Sequence, residues 1–334
     1  MRLACATTTI HDCTRQLRWF EACDKDVPIF IAGDLKTPMF DMPGNATYYS
    51  PDAQRSLGYK SSELIGWNND SRRNIAVLEA LKWGADVIVS LDDDMIPMNK
   101  SYFDDFRSGI QNDFTGLQLG EAGYWFDPGS MTIPKAPARG LPPDYGFVAC
   151  VDGVSDAKVG VVQGLILGKP DTSAVYALAN SPLVTGVNDV ARHGFVIHPE
   201  AFTVFNSQTT AFRRDLAPCF AQFYNALGRN TDIYASLIMR RVMREHGLFT
   251  YYGPPMAYHA RSPRKDVLGD IKAEMFGVEH VADFATTLAN ISLPKGSFMS
   301  NTMDLWAYLF SWPQLPRTII HAVDAWLEDV EGVL

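Results

Sequence analysis

The stretch that decides the fold is DSRRNIAVLEALKWGADVIVSLDDDMIP, residues 70–97. Capping residues open it, Ile75, Leu78 and Leu81 recur at helical spacing, and a glycine follows where a helix should end. Residues 86–91 then form a short apolar run, which is typical of a strand buried on both faces of a parallel sheet. The pattern therefore predicts a helix followed by a central strand, with three aspartates at the strand's carboxyl end.

Short apolar runs and helix-like segments alternate along the rest of the chain. We expect strands at 3–6, 27–32, 159–167 and 202–212, and a helix at 233–246. From Thr302 the chain is helical, with breaks at Pro313 and Pro316. This order predicts an α/β fold in which helices flank a mixed, mostly parallel sheet. We expect one catalytic domain over residues 1–290 and a helical C-terminal extension over 291–334.

Composition limits the class of protein. The 334 residues are 47% hydrophobic and 20% charged, which is typical of a globular enzyme and excludes a disordered or disulfide-scaffold chain. Lys and Arg number 29 against 38 Asp and Glu, a net charge of −9, so a uniformly basic nucleic-acid binder is not expected. Local clusters, Arg240-Arg241-Arg244 and Arg261-Arg264-Lys265, leave a nucleic-acid partner open.

The cysteines and the hydropathy indicate a cytoplasmic protein. Five cysteines with no CxxC pair predict neither a disulfide framework nor a zinc ribbon, and they suit a reducing compartment. No apolar run reaches the roughly 18 residues of a membrane span. We also find no signal-peptide pattern at the start.

Asp92, Asp93 and Asp94 are the most informative residues. Three adjacent carboxylates repel one another by about 1 kcal/mol per pair, so we expect a divalent cation to offset the repulsion. The carboxyl end of a central strand is also where open α/β sheets bind ligands. Mg²⁺ and Mn²⁺ accept oxygen ligands and leave room for diphosphate oxygens. The alternative is a solvated acidic turn, but the D-x-D spacing of Asp92 and Asp94 after an apolar strand favours a metal site.

Other polar residues are expected at the same edge of the sheet. Arg73 begins the helix before the strand, where a basic group and the helix dipole favour a diphosphate. Thr8 and Thr9 follow the first strand, and Asp34 and Lys36 follow the second, at positions that suit a base and a ribose. The alternatives are a surface arginine and ordinarily polar loops.

Several blocks together resemble one enzyme family. In order they are SRRN at 71–74, SLDDDMIP at 90–97, VQGLILGKPD at 162–171, TTAFRRDL at 209–216, NTDIYASLIMRRVMREHGL at 230–248 and GPPMAYHARSP at 253–263. On these blocks the chain resembles the GT-A class of glycosyltransferases, and more closely the reversibly glycosylated polypeptide / UDP-arabinopyranose mutase family. The resemblance implies a GT-A-like, Rossmann-like domain that binds a UDP-sugar with Mn²⁺ or Mg²⁺.

The resemblance also assigns residues. It places Asp92, Asp93 and Asp94 around the metal and the ribose, with Asp94 as a direct ligand beside Asp92. His259 would be a further metal ligand, although a histidine in this setting is more often structural. Arg261 would lie near the diphosphate. Asp232, which otherwise suits a helix N-cap, would contact the acceptor hydroxyl or act as general base.

One departure from the family concerns its reaction. The mutases carry a reversibly glycosylated arginine before a central strand, but the corresponding residues 146–153 contain no arginine, and Gln163 replaces a histidine. We therefore expect a glycosyltransferase that passes sugar to a separate, unidentified acceptor, for which a modified nucleobase in DNA is one candidate. A mutase-like isomerase and a non-catalytic nucleotide-sugar-binding subunit are the alternatives, and an oligomer is left open.

Overall fold

A computed structural model describes residues 1–143, 150–260 and 266–334 of the chain. Its strands are β1 (Leu3–Thr9), β2 (Ile29–Gly33), β3 (Ala46–Tyr49), β4 (Val87–Asp92), β5 (Met95–Pro97), β6 (Phe114–Leu119), β7 (Thr132–Ile133), β8 (Val151–Ala157), β9 (Val159–Gly168), β10 (Gly186–Val187), β11 (Phe195–Ile197), β12 (Thr209–Arg213) and β13 (Phe249–His259). Its α-helices are α1 (Thr14–Glu21), α2 (Pro51–Ser56), α3 (Ser61–Leu64), α4 (Arg73–Trp83), α5 (Tyr102–Gln111), α6 (Ala174–Ala179), α7 (Tyr224–Leu227), α8 (Thr231–Glu245), α9 (Val267–Asn290), α10 (Phe298–Leu309) and α11 (Ile319–Glu331).

The central sheet has the order β3-β2-β1-β4-β12-β9-β13-β11-β6-β8, and β5 pairs with β13. The first four strands of this order are parallel, and β12 runs antiparallel between β4 and β9. Strands β7 and β10 form a separate two-stranded sheet. The predicted α/β fold, a mixed and mostly parallel sheet flanked by helices with a helical C-terminal region, is confirmed.

Strand β4 is buried on both faces, as its apolar sequence predicts. Ile88 packs into a hydrophobic cluster with α4 and the C-terminal helices. Val87 and Val89 point the other way, into a cluster with the aromatic side chains of α5. Because side chains alternate along a strand, β4 contributes to the hydrophobic clusters on both faces of the sheet. This packing fixes the position of its carboxyl end. The three aspartates therefore emerge at a rigid sheet edge.

Helix α4 is buried well beyond the apolar stripe of Ile75, Leu78 and Leu81 that the sequence indicates. A short 3₁₀ turn, Asp70–Arg72, precedes it, and its residues from Arg73 to Leu81 are all buried. Strands β1 and β2 pack on one side, and the 3₁₀ helix Arg214–Phe220 covers another. Gly84, with a φ of 94°, ends the helix as the sequence predicts.

Two other elements differ from the sequence-based expectations. The strand expected over 202–212 is confined to β12, because residues 202–208 form a loop that reaches the sheet edge. The 24-residue helix α9 has no counterpart in the sequence analysis. Residues of α9, α10 and α11, such as Phe284, Leu305 and Trp326, share a hydrophobic cluster with β1 and α4. The C-terminal helices therefore pack on the same core as the sheet, and none of the described helices is long and apolar enough to span a membrane.

Candidate active site

A polar pocket of about 260 Å³ opens at the carboxyl ends of β1 and β4. Its wall also includes the turn that precedes α4, the loop before β12, the first turn of α8 and the end of β13. Thr8, Thr9, Arg73, Asp232 and His259, all singled out from the sequence, are in this wall. The three aspartates of the D-x-D stretch complete it. Residues separated by more than 200 positions in the chain thus meet at one sheet edge.

Asp92 is held by two side chains of the protein. Arg73 Nη2 donates to its Oδ1, and Gln208 Nε2 donates to its Oδ2 at 2.9 Å. The Arg73 side chain is only 3% exposed and also donates through Nη1 to the carbonyl of Ser207. The structure therefore places Arg73 beneath Asp92, where it orients that carboxylate.

Asp93 faces β1 and accepts a hydrogen bond from Thr9 Oγ1. Burial raises the pKa of its carboxyl to about 7, and Asp94 and Asp92 add to the increase. Because the three aspartates are adjacent, ionisation of each one disfavours that of its neighbours. A cation would relieve this cost.

Asp94 and His259 contact each other directly. His259 Nε2 lies 3.0 Å from Asp94 Oδ2, and the histidine side chain is 2% exposed. Strand β5 brings them together, because it pairs antiparallel with β13 and sets Met95 opposite His259. The other ring nitrogen, Nδ1, is buried without a hydrogen-bond partner among the described residues. A buried polar atom without a partner is costly, so we expect Nδ1 to bind a group outside the described residues, on the other side of the ring from Asp94.

The side chains of the pocket provide only part of the ligand set of a divalent cation. A carboxylate and an imidazole are good ligands for Mn²⁺, and such ions commonly keep positions for water and phosphate oxygens. Asp94 and His259 provide such a pair, whereas both oxygens of Asp92 are already engaged by Arg73 and Gln208. In the part of the chain that the structure describes, no group of three or more His, Cys, Asp or Glu is arranged to hold a metal ion. The residues therefore fit a cation with two protein ligands.

The predicted residues at the end of β1 and after β2 have different surroundings, and Thr8 belongs to β1 itself. Thr8 lines the pocket, but its hydroxyl donates to the carbonyl of Ala32 at 2.7 Å. Asp34 is buried outside the pocket wall and accepts hydrogen bonds from the backbone N–H groups of Asn68 and Asn69. It therefore shapes the loop whose residues 68–70 line the pocket. Lys36 is exposed and outside the wall, and Arg261 lies outside the described residues.

Asp232 is in the first turn of α8, but it does not cap the helix. The N-cap position belongs to Asn230, and both oxygens of Asp232 accept from Arg139 Nη2, at 3.1 and 2.9 Å. Oδ1 also accepts from the N–H of Ile233, and Oδ2 accepts from the N–H of Ser207. Asp232 is thus a buried carboxylate with four hydrogen bonds.

Arg139 is a pocket residue that the sequence did not reveal. It is 7% exposed and joins Asp232 to Asp171, which accepts from Arg139 Nε at 3.0 Å. Its Nη1 donates to the carbonyl of Arg229, whose own guanidinium binds Glu274 of α9. Arg139 is in an irregular segment with no periodicity, so only its tertiary partners identify it.

Asp70 is another pocket residue that the sequence did not single out. Its carboxylate faces the open pocket, and no described residue donates a hydrogen bond to it. The Asp70 side chain is exposed to the pocket. Desolvation by the surrounding protein raises the pKa of the carboxyl, and Asp92 adds to the effect. Arg73 and Arg229 act in the opposite direction.

The Arg240-Arg241-Arg244 cluster is not the basic surface that its sequence indicated. Arg240 is 7% exposed and donates to Thr250 and to the carbonyls of His198 and Ala201. Arg241, 5% exposed, binds two carbonyls near the end of α9. These guanidiniums connect buried loops to α8, so they cannot contact phosphates at the surface.

Comparison with known proteins gives a limited result. No protein-family model and no curated protein matches the chain. Glucosyl-3-phosphoglycerate synthase from Mycobacterium tuberculosis, solved with Mn²⁺ and UDP-glucose, is 9% identical; the match covers 84% of this chain and 79% of that one, with a TM-score of 0.44. The mannosyltransferase PcManGT from Pyrobaculum calidifontis, solved with GDP-mannose and Mn²⁺, is 10% identical over 99% of this chain and 86% of that one, with a TM-score of 0.39. The protein A197 from STIV is 12% identical over 78% and 87%, with a TM-score of 0.33.

The structures that the chain resembles thus include two glycosyltransferases solved with nucleotide sugars. The comparisons give no support to the closer resemblance to the reversibly glycosylated polypeptide / UDP-arabinopyranose mutase family. Identities near 10% and such TM-scores assign no activity. The function has to be argued from the pocket itself.

Proposed function

We propose that the protein is a divalent-metal-dependent glycosyltransferase, which transfers sugar from a nucleotide sugar to an acceptor hydroxyl. A UDP-sugar is the first candidate for the donor. The observation that carries the proposal is the contact between Asp94 and His259 inside a polar pocket at the carboxyl edge of the sheet. An acidic pocket with two such ligands suits a substrate that itself supplies phosphate oxygens to the cation.

Asp94 and His259 would hold Mn²⁺ or Mg²⁺, and the bound cation would neutralise the charge that develops on the departing diphosphate. The other residues act on the substrate through their own groups. Asp92, fixed by Arg73 and Gln208, and Asp93, fixed by Thr9, present carboxylate oxygens that can accept hydrogen bonds from ribose hydroxyls. Arg73 therefore acts through Asp92, in contrast to the direct diphosphate contact expected from the sequence.

Asp34 and Thr8 would contribute indirectly, because their side chains stabilise the backbone around the pocket. Asp232 is in the first turn of α8, in the wall of the same pocket as the D-x-D stretch, and stays a candidate for the acceptor side. The role of Arg261 near the diphosphate, implied by the resemblance, stays a prediction. So does the role of Lys36 near the base and ribose, which rests on its loop position.

A nucleic-acid acceptor would need a surface other than Arg240 and Arg241, which are buried.

The direct test is a panel of UDP- and GDP-sugars incubated with purified protein and Mn²⁺, with and without acceptors. Chromatography would score both the released nucleoside diphosphate and any isomerised nucleotide sugar. We expect diphosphate release that depends on the metal. Isomer without diphosphate would identify a mutase instead, and binding without either product would identify a nucleotide-sugar-binding subunit.

A further inference from the structure

The carboxylates of the pocket differ in how many hydrogen bonds they already accept. An ionised carboxylate has about four lone-pair sites. Asp232 accepts four hydrogen bonds, two from Arg139 and one each from the N–H groups of Ile233 and Ser207. It can take a proton from a substrate only by losing one of these contacts. Asp232 is thus poorly suited to be the general base.

Asp70 is in the opposite situation. Its carboxylate lines the same pocket and accepts no hydrogen bond from any residue in the described ranges. The carboxylates of Asp92 and Asp232 and the guanidiniums of Arg73 and Arg229 are close enough to act on it electrostatically. Asp70 therefore shares one pocket with the D-x-D stretch and with the Arg139 network, so an acceptor bound in that pocket can reach its carboxylate.

The backbone around Asp70 is held by hydrogen bonds, whereas its side chain accepts none from the described residues. Asp34 accepts from the N–H groups of Asn68 and Asn69, and the Asn69 side chain accepts from the N–H of Ser71. The Ser71 hydroxyl accepts from the N–H of Tyr224 at 2.8 Å.

The Arg72 side chain holds the same turn from another direction. It is fully buried and donates to Gln54, Ser62 and Gly66. A fixed backbone that presents one unpartnered carboxylate to a pocket is an arrangement that suits catalysis.

We propose that Asp70 is the general base that accepts the proton of the acceptor hydroxyl; this role rests on the proposed function. The acceptor O–H bond breaks and its proton passes to the Asp70 carboxylate, while the acceptor oxygen forms a bond to C1 of the sugar. The bond from C1 to the diphosphate oxygen breaks, and its electron pair leaves with the diphosphate. Asp232, held by Arg139, is then a positioning residue that fixes the N–H of Ser207.

The test compares Asp70→Asn, Asp70→Ala and Asp232→Asn with a matched control, Asp324→Asn, which changes an exposed aspartate of α11. The assay measures diphosphate release and sugar transfer with the nucleotide sugar that the wild-type protein turns over fastest in the panel above, with Mn²⁺. Isothermal titration with the same nucleotide sugar measures binding, and thermal unfolding shows that each variant is folded.

We expect Asp70→Asn to lower kcat about 100-fold or more, since general-base catalysis contributes on that scale. Its dissociation constant for the nucleotide sugar should stay within about threefold, because a base acts mainly in the transition state. Added formate should restore part of the rate to Asp70→Ala, but not to Asp232→Asn.

Two results would overturn the assignment. An Asp70→Asn variant that keeps wild-type kcat would exclude Asp70 as the base, and so would a variant whose loss is confined to nucleotide-sugar binding. A wild-type protein that turns over no nucleotide sugar would instead contradict the proposed function, and the base role would fail with it.

Discussion

Arg73 Nη2 donates to Asp92 Oδ1 beneath the pocket, and this ion pair joins the start of α4 to the end of β4. Arg73 is almost fully buried, while Asp92 keeps 25% of its side chain exposed. The arginine therefore faces the protein and the aspartate faces the pocket. This arrangement makes the first aspartate of the D-x-D stretch a fixed acceptor whose orientation depends on a residue 19 positions earlier.

Removing Arg73 should destabilise the protein more than removing an exposed arginine. Arg73→Met leaves Asp92 with one fewer partner, and loss of one member of a buried pair costs about 3 kcal/mol. Urea unfolding of Arg73→Met, Asp92→Asn and the double variant would give their coupling energy, which we expect to be about 1–3 kcal/mol. The exposed pair Arg192–Asp189 is the matched control, with an expected coupling below about 1 kcal/mol. Equal coupling in both pairs would contradict the structural role of Arg73.

Asp34 should prove to be a loop-stabilising residue. Asp34→Ala removes the acceptor for the part-buried N–H groups of Leu35, Asn68 and Asn69, and each lost hydrogen bond to this charged group contributes about 1.5–3 kcal/mol. The melting temperature should fall clearly. Lys36→Ala, two residues later and exposed, should change stability by less than about 0.5 kcal/mol. A wild-type melting temperature for Asp34→Ala would show that the loop does not need this carboxylate.

Arg139 should stabilise the part of the pocket wall that contains Asp171 and Asp232. Arg139→Met would leave Asp171 and Asp232 without their shared guanidinium, and we expect a loss of about 3–5 kcal/mol in unfolding free energy. Arg139→Lys keeps the charge but cannot contact both carboxylates in the same planar geometry, so it should recover only part of the loss. Urea denaturation measures both values. An Arg139→Met variant as stable as the wild type would mean that the network adds no net stability.

Stability of the metal-free protein should depend on pH through Asp93. Burial raises the pKa of this carboxyl in the folded state to about 7, above the ordinary aspartate value of 3.8. Between those values the folded state binds more protons than the unfolded state, so unfolding free energy falls as pH rises from about 4 to 7. Asp93→Asn removes this dependence. The stability of Asp93→Asn relative to the wild type should therefore increase over that range in urea unfolding at several pH values, and a constant difference would contradict the raised pKa.

How much the sequence could predict depends on whether a residue's role is local. The apolar run of β4, its aspartates and the glycine that ends α4 are local signals, and each is where the sequence placed it. Asp94 and His259 are 165 residues apart, and only the family resemblance suggested the pair that the structure brings into contact. That suggestion required no knowledge of the intervening fold.

The remaining features depend on tertiary contacts that no local pattern encodes. Asp70 resembles an ordinary helix-start residue, and Arg139 is in an aperiodic segment, yet both line the pocket. Arg240 and Arg241 look like a basic patch, but their side chains turn inwards to carbonyl groups. Asp92 matches a metal-ligand motif, while its oxygens are engaged by Arg73 and Gln208. The sequence therefore indicated which residue types a functional site would use, but it did not indicate which side chains and carbonyl groups each of them contacts.

The measurement that tests the account most directly is isothermal titration of UDP-glucose and GDP-mannose into the protein with and without Mn²⁺, repeated with Asp94→Asn and Asp92→Asn. We predict that at least one of the two nucleotide sugars binds and that its binding needs Mn²⁺. Asp94→Asn should weaken this binding by about tenfold or more, as expected for loss of a metal ligand. In a parallel titration with Mn²⁺ alone, Asp92→Asn should leave the affinity nearly unchanged, because Arg73 and Gln208 already engage its oxygens. Binding of neither nucleotide sugar, or binding that is equally tight without Mn²⁺ and in Asp94→Asn, would contradict the proposed metal-dependent transferase site.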